Sequence, residues 1–406
     1  MTVTIVGTLD TKAPEIAYAR EVLESQNVAT HIVDVGIMDD PGLEPDTSAA
    51  AVASAAGESL SALRETGDRG AAIDAMGRGA ATIVSRQYDS GSLKGVFGLG
   101  GSGNTSIATA AMRTLPVGVP KLMVSTMASG DTEPYVGAHD VAMFYPIADI
   151  EGLNRVTRTV ISNAASAMAG MVMNDAERTA TGRPTIGCTM FGVTTPCVQQ
   201  ARERLEKAGY ETIVFHATGT GGKALERLIE EGVIDAVLDI TTTELADEFV
   251  GGVLSAGPDR LTGAGNRGIP QVVSVGALDM VNFGPMDDVP DAFADRTLHE
   301  HNPQVTLMRT TPEESKVLGQ RIARKLNDAT GPRAVVIPTE GISMLSVEGE
   351  PFYDPDADAA LYNSLRANLD DAVELIEVAT AINDEAFVSA VVQKLEAYLE
   401  SMPTNT

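Results

Sequence analysis

The chain has 406 residues, with 56 Asp plus Glu against 29 Lys plus Arg and a net charge of −27. Its length predicts two or three domains, and its charge, spread along the chain with only eight lysines, disfavours a nucleic acid or an anionic membrane as partner, since both need clustered cations. Two cysteines exclude a disulfide framework, and without a long apolar run or a leader pattern the expectation is a cytoplasmic protein with no membrane segment.

The β-branched run at 2–6 predicts a strand. Over 14–26, Ile16, Ala19, Val22 and Leu23 recur at helical spacing. A strand over 30–35, a polar loop over 38–47 and helices within 50–66 and 70–90 follow. A strand at 94–99 runs into Gly100-Gly-Ser-Gly103, then come a helix over 105–115, a strand over 120–126 and a long small-residue helix over about 152–174.

The polar stretch 175–184 ends in Gly-Arg-Pro and marks a boundary between domains of 1–178 and 183–406. The plan then restarts, with strands at 185–189, 211–215, 236–240, 272–275, 305–308 and 334–338, helices at 196–208 and 222–231, and closing amphipathic helices at 356–377 and 384–401. This alternation predicts an α/β protein of two doubly wound, Rossmann-like domains with parallel sheets facing a cleft, where the C-terminal strand ends hold ligands.

The densest local signal is Phe97-Gly-Leu-Gly-Gly-Ser-Gly-Asn-Thr105. Gly98, Gly100, Gly101 and Gly103 let backbone N–H groups approach a ligand, and the helix that follows turns its positive end towards an anion. Ser102, Asn104 and Thr105 add donors. A dinucleotide site lacks its ribose carboxylate at the tip of the next strand, and a P-loop lacks its lysine. A phosphate-bearing ligand, most simply a nucleotide, is the expectation; a tight turn is the alternative.

The first strand exits through Gly7-Thr-Leu-Asp-Thr-Lys12. Thr8, Asp10 and Lys12 are candidate ligand contacts there, with Asp10 or Thr11 as a plain helix cap the alternative. Thr126, Ser129 and Gly130 are candidates for a third wall. In the second half, Thr194, Thr195, Gly219, Gly221, Gly222 and Thr241 sit at equivalent strand exits. His299 and His301, in a loop after the acidic stretch 287–295, share one face if extended and are candidates for a metal or for proton transfer. Asp239 and Glu340 are further catalytic candidates by position. Cys197, at the start of a helix, is a candidate for a lowered thiol pKa, with a packed small hydrophobe the commoner reading of a lone cysteine.

Taken in order, Gly7–Lys12, Gly98–Thr105, Met190–Pro196, His216–Gly222, His301-Asn-Pro303 and Phe352–Asp358 resemble the widespread uncharacterised protein family that includes the tomato mosaic virus resistance protein. The resemblance runs across nearly the whole chain. It implies an ATP-binding N-terminal domain, a second α/β domain and a homodimer. Magnesium would accompany the nucleotide. The reaction stays open between ATP-dependent chemistry on a small molecule, a metabolite-binding or regulatory module, and a nucleotide-sugar transferase.

Overall fold

The structure is a computed structural model and describes residues 2–38, 42–174 and 182–401. The chain forms two compact units, Met1–Thr179 and Ala180–Thr406. Most of the polar stretch read as the boundary, 175–181, lies outside the described residues.

The first unit runs β1 (Thr2–Gly7), α1 (Leu9–Ser25), β2 (Ala29–Asp34), α2 (Ala49–Ala55), α3 (Leu60–Thr66), α4 (Arg69–Asp89), β3 (Leu93–Gly100), α5 (Ser102–Met112), β4 (Lys121–Ser125), α6 (Glu133–Val136), β5 (Ala142–Phe144) and α7 (Arg155–Met173). Its five strands are all parallel, in the order β2-β1-β3-β4-β5. The chain leaves β1 to one side for β2 and returns on the other for β3. The strand order therefore reverses between β1 and β3, and a crevice opens beyond their C-terminal ends.

Each face of this sheet is apolar and covered. Ile16, Ala19 and Leu23 of α1 pack with Ile161, Ala165 and Met168 of α7 on one side, while Val52, Met76, Val84, Ile107 and Met112 from α2, α4 and α5 pack on the other. The small residues of α7 thus serve the first unit's own core. Its N-terminus is fixed by a capping box between Asn154 and Thr157. Three helices, not two, fill 49–89. Ser59 and Asp68 cap α3 and α4, and Gly67, at φ +62, closes α3.

The second unit contains β6 (Thr185–Met190), α8 (Thr195–Lys207), β7 (Glu211–His216), α9 (Thr220–Glu230), β8 (Ala236–Thr241), α10 (Glu244–Val250), α11 (Gly263–Arg267), β9 (Gln271–Gly276), β10 (Met280–Phe283), β11 (Leu298–Asn302), β12 (Val305–Arg309), α12 (Pro312–Asp328), β13 (Arg333–Pro338), α13 (Pro355–Asn368), β14 (Glu374–Val378) and α14 (Glu385–Ser401). Six strands form a parallel sheet, β14-β13-β9-β8-β6-β7, so the order reverses between β6 and β8.

Two expectations need correction here. The run at 305–308 is not part of the parallel sheet. It is the middle strand of a separate antiparallel sheet, β10-β12-β11. The span 356–377 is not one helix: α13 ends at Asn368, and β14 joins the sheet edge beside β13. β14 is a half-buried edge strand, Glu374-Leu-Ile-Glu-Val378, and its two glutamates mimic a helical surface pattern.

Candidate functional site

A cavity of about 1070 Å³ opens at the β1/β3 switch point of the first unit. Five segments build it. The β1 exit supplies Thr8, Asp10, Thr11 and Lys12; the β2 exit supplies Val35, Ile37 and Met38; α3 and α4 supply Leu63, Arg64, Arg69, Ile73 and Met76; the β3 exit supplies Gly101, Ser102, Gly103 and Asn104; the stretch before α7 supplies Asp149 and Glu151.

The β1 exit is shaped by a proline. Pro14 cannot continue the backbone ladder, and the helix breaks at Lys12, with φ −127 and ψ 21. One turn, Leu9 to Thr11, thus precedes the main body of α1, with Thr8 at its N-cap, and neither Asp10 nor Thr11 serves as the cap. Asp10 instead reaches across to the β2 exit, where its Oδ2 accepts the N–H of Met38 at 2.9 Å. Gly36 makes this possible, because a Cβ there would stand 2.7 Å from the Asp10 carboxyl carbon. Arg64 donates to the carbonyls of Ile37 and Met38 and braces the same loop. Asp34 caps the Leu9 turn and the Gly36 bend with one oxygen; burial pushes its carboxyl above the usual range, against the pull of those two N–H groups.

At the β3 exit, α5 starts directly after Gly101, and no side chain caps it. The N–H groups of a helix's first turn have no intrahelical acceptor, and the helix dipole adds partial positive charge there. Arg69 makes this end more positive still. Its Nη2 lies 3.8 Å from where a Gly103 Cβ would be, and it has no carboxylate partner among the described residues. A cation at the positive end of a helix is unfavourable unless an anion lies between them.

Asn104 completes the arrangement. Its Nδ2 donates to the carbonyls of Val6 and Leu99, at 3.2 and 2.7 Å, which fixes the amide orientation. Its Oδ1 is then left buried without a partner, as is Oδ1 of Asp10. Asn104 is 5% exposed and lines the cavity. Unpaired buried acceptors are uncommon, so a donor belongs opposite them.

The expected residues divide accordingly. Thr8, Asp10, Lys12, Gly101, Ser102, Gly103 and Asn104 meet at the cavity. Gly7, Gly98 and Thr105 do not. A Cβ at Gly7 would lie 2.1 Å from Ile16, and one at Gly98 would lie 2.6 Å from the Met123 sulfur, so both glycines serve close packing. Thr105 is fully buried, its hydroxyl shared between the Gly101 carbonyl and Ser125. Gly100 packs against Asn104. Thr126 opens a 3-10 turn beside Gly101, while Ser129 and Gly130 are exposed on its far end, outside the cavity. Arg64, Arg69 and Asp149 escaped the sequence reading, because no motif marks a residue that only the chain's return brings to the crevice.

In the second unit the corresponding switch point is filled from within. Arg260, fully buried, donates two bonds to Asp239, at 2.6 and 2.7 Å, and one to Glu244 at 2.7 Å, and lies 3.4 Å from Glu226. Asp239 also accepts the Thr189 hydroxyl, so the candidate acid has both oxygens engaged. Glu244 takes the N–H groups of Gly219 and Gly222, at 2.7 and 3.0 Å. The glycine-rich turn therefore already holds an anion, a carboxylate of the chain itself. Gly221 has a packing reason as well, since its Cβ would lie 1.8 Å from the His216 carbonyl oxygen. Thr194 and Thr241 bond each other at 2.7 Å, both fully buried, and Thr195 bonds the Phe191 carbonyl.

His299 and His301 lie on strand β11, not in a loop. His301 is exposed at a register shift between Glu300 and Asn302, and His299 packs edge-on to Phe352. No group of three or more His, Cys, Asp or Glu among the described residues is placed to hold a metal. Glu340 is exposed at the end of β13. Cys197 is buried, and desolvation pushes its thiol up to about 12, so it packs as a small hydrophobe.

Comparison with known proteins supplies the family. The Uncharacterised protein family (UPF0261) N-terminal domain matches residues 1–177, and its C-terminal domain matches residues 183–399. The chain belongs to this family. It is 49% identical to a UPF0261 protein of Clostridium tetani, over 98% of both chains. It is 42% identical to the ToMV resistance protein Tm-1(GCR237) of Solanum lycopersicum, over 98% of this chain and 55% of the tomato protein. Among solved structures, a Methanocaldococcus jannaschii UDP-GlcNAc 2-epimerase in complex with UDP-GlcNAc and UDP is similar at a TM-score of 0.22 and 10% identity, over 67% of this chain and 83% of that one. The family motif Phe352–Asp358 has a structural role here: Arg309 donates to the Phe352 carbonyl at 2.8 Å and to Asp358 at 2.6 Å. No helix among the described residues is long and apolar enough to cross a membrane.

Proposed function

We propose that the first unit of this UPF0261 protein binds a nucleotide, with ATP the first to test, at the C-terminal edge of its sheet. The observation that carries this is the uncapped start of α5, facing a cavity at the strand-order switch with Arg69 beside it. Phosphate satisfies both the N–H groups and the cation. The apolar wall of Ile37, Leu63, Ile73, Met76 and Ile107 suits a base, and the acceptors on Asn104 and Asp10 suit ribose hydroxyls or an exocyclic amine. Magnesium would enter with the phosphates and be held mainly by them, as this ion commonly is.

The test is calorimetry with ATP, with and without magnesium, on the wild type and on Gly101→Val. A Cβ at Gly101 meets nothing closer than Thr126 Oγ1 at 3.8 Å, so the variant is expected to keep its fold and melting temperature while losing ATP. Equal affinity in both proteins would reduce the loop to a turn.

A further inference from the structure

Lys12 enters the cavity from the break in α1, with its side chain 15% exposed, and its Nζ lies 2.7 Å from Glu151 Oε2. The Glu151 side chain is 82% exposed. Separation therefore costs the two partners different amounts. Glu151 is already hydrated and loses little by turning into water, whereas Lys12 has its stem buried and its ammonium confined to the wall.

The backbone beneath Glu151 is anchored. Gly152, at φ +75, donates its N–H to the buried Glu15 at 2.6 Å. Just upstream, Ile147 is a β-branched residue at φ +68 and is 71% exposed. Left-handed backbone at such a residue is strained and persists only where its surroundings impose it. The Gly152 bond to Glu15 thus fixes the backbone next to Glu151, while the Glu151 side chain itself lies in solvent.

The cavity consequently offers two places for negative charge. One is the α5 N-terminus with Arg69; the other is Lys12, already matched by a carboxylate of the chain. We propose that Lys12 is a second anion subsite for which Glu151 is the internal competitor, so that the site takes ligands bearing two or more phosphates. This rests on the nucleotide reading above. A monophosphate satisfies α5 and leaves the ion pair intact. A diphosphate or triphosphate reaches Lys12, and its outer group replaces Glu151, which turns into solvent.

The experiment is calorimetry on the full chain with AMP, ADP and ATP, and with phosphate and pyrophosphate, for wild type, Glu151→Gln and Lys12→Gln. Melting curves confirm that each variant folds. Glu151→Gln is expected to tighten ADP, ATP and pyrophosphate by up to about five-fold, the upper end for a partly exposed ion pair, and to leave AMP and phosphate unchanged. Lys12→Gln is expected to reduce ADP and ATP to the affinity of AMP. Unchanged ADP and ATP affinity in Glu151→Gln, or an equal gain for AMP, would overturn the proposal. If pyrophosphate responds as expected while no nucleotide binds, the two-anion subsite stands and the nucleotide reading falls.

Discussion

Gly98 and Gly101 lie three residues apart in one glycine-rich loop, yet a side chain would act differently at each. At Gly98 a Cβ runs into Met123 and Ala108, at 2.6 and 2.8 Å, where β3 packs against β4 and α5. Gly98→Ala is therefore expected to lower stability by about 1–3 kcal/mol, the usual cost of overpacking, measurable by urea denaturation. Gly101→Val should leave the same curve unmoved. A reversed order would mean that the roles of the two glycines had been exchanged.

Asp247 offers a residue-scale test of pH dependence. Burial, reinforced by repulsion from Glu244 and opposed by the Asn282 amide, pushes its carboxyl up to about 7. A carboxyl raised from 3.8 in the folded state binds its proton more tightly there than in the unfolded chain. Stability contributed by the proton is present at low pH and is lost as pH rises towards 7. Asp358, raised to about 6, acts in the same direction lower down. Up to pH 7 Asp247 adds a slope of up to about 1.4 kcal/mol per unit, and the buried, likewise raised carboxyls of Asp279 and Glu226 act in the same direction. Asp247→Asn is expected to flatten that stretch of a melting-temperature profile; a profile parallel to the wild type would assign the slope elsewhere.

At the scale of elements, one cation holds the C-terminal end of β8, an interior strand of the second unit's sheet, to the helices beside it. Arg260 ties β8 through Asp239, α10 through Glu244 and α9 through Glu226. Replacing a buried ion-pair partner leaves uncompensated charge, typically at a cost of about 3–5 kcal/mol. Arg260→Met should therefore melt well below the wild type at pH 8, with the deficit narrowing at pH 5 as the stranded carboxyls take up protons. An equal deficit at both pH values would show that the loss is one of packing.

For the whole molecule, the governing quantity is the charge of −27. Were all 29 Lys and Arg paired with carboxylates, 27 of the 56 Asp and Glu would still have no cation, so self-repulsion opposes folding at low ionic strength. The Debye length shrinks from about 10 Å at 0.1 M salt to about 3 Å at 1 M. The melting temperature is expected to climb as KCl is raised through that range, and sodium sulfate at matched ionic strength would separate screening from surface exclusion. Such an acidic surface suits a source living in high salt, where screening tolerates the repulsion; equal stability in dilute buffer would count against that reading.

The sequence by itself determined the fold class, because strand and helix periods are local and each repeats in short windows. Ile16, Ala19 and Leu23 announce a buried helix face whatever lies opposite, and Gly100 to Gly103 announce a strand-to-helix turn. The same windows misread 356–377, where an edge strand carries glutamates, and the run at 305–308, whose direction and sheet depend on partners distant in the chain. The site divides the same way. Thr8, Asp10, Lys12 and Gly101 to Asn104 are legible because motifs place them at strand exits. Only the tertiary structure decided that Arg69 stands over α5, that Glu151 returns to Lys12, and that the second glycine-rich turn is already occupied by Glu244. These are pairings across 25 to 139 residues of chain, fixed by the strand order and by which buried charges must find partners.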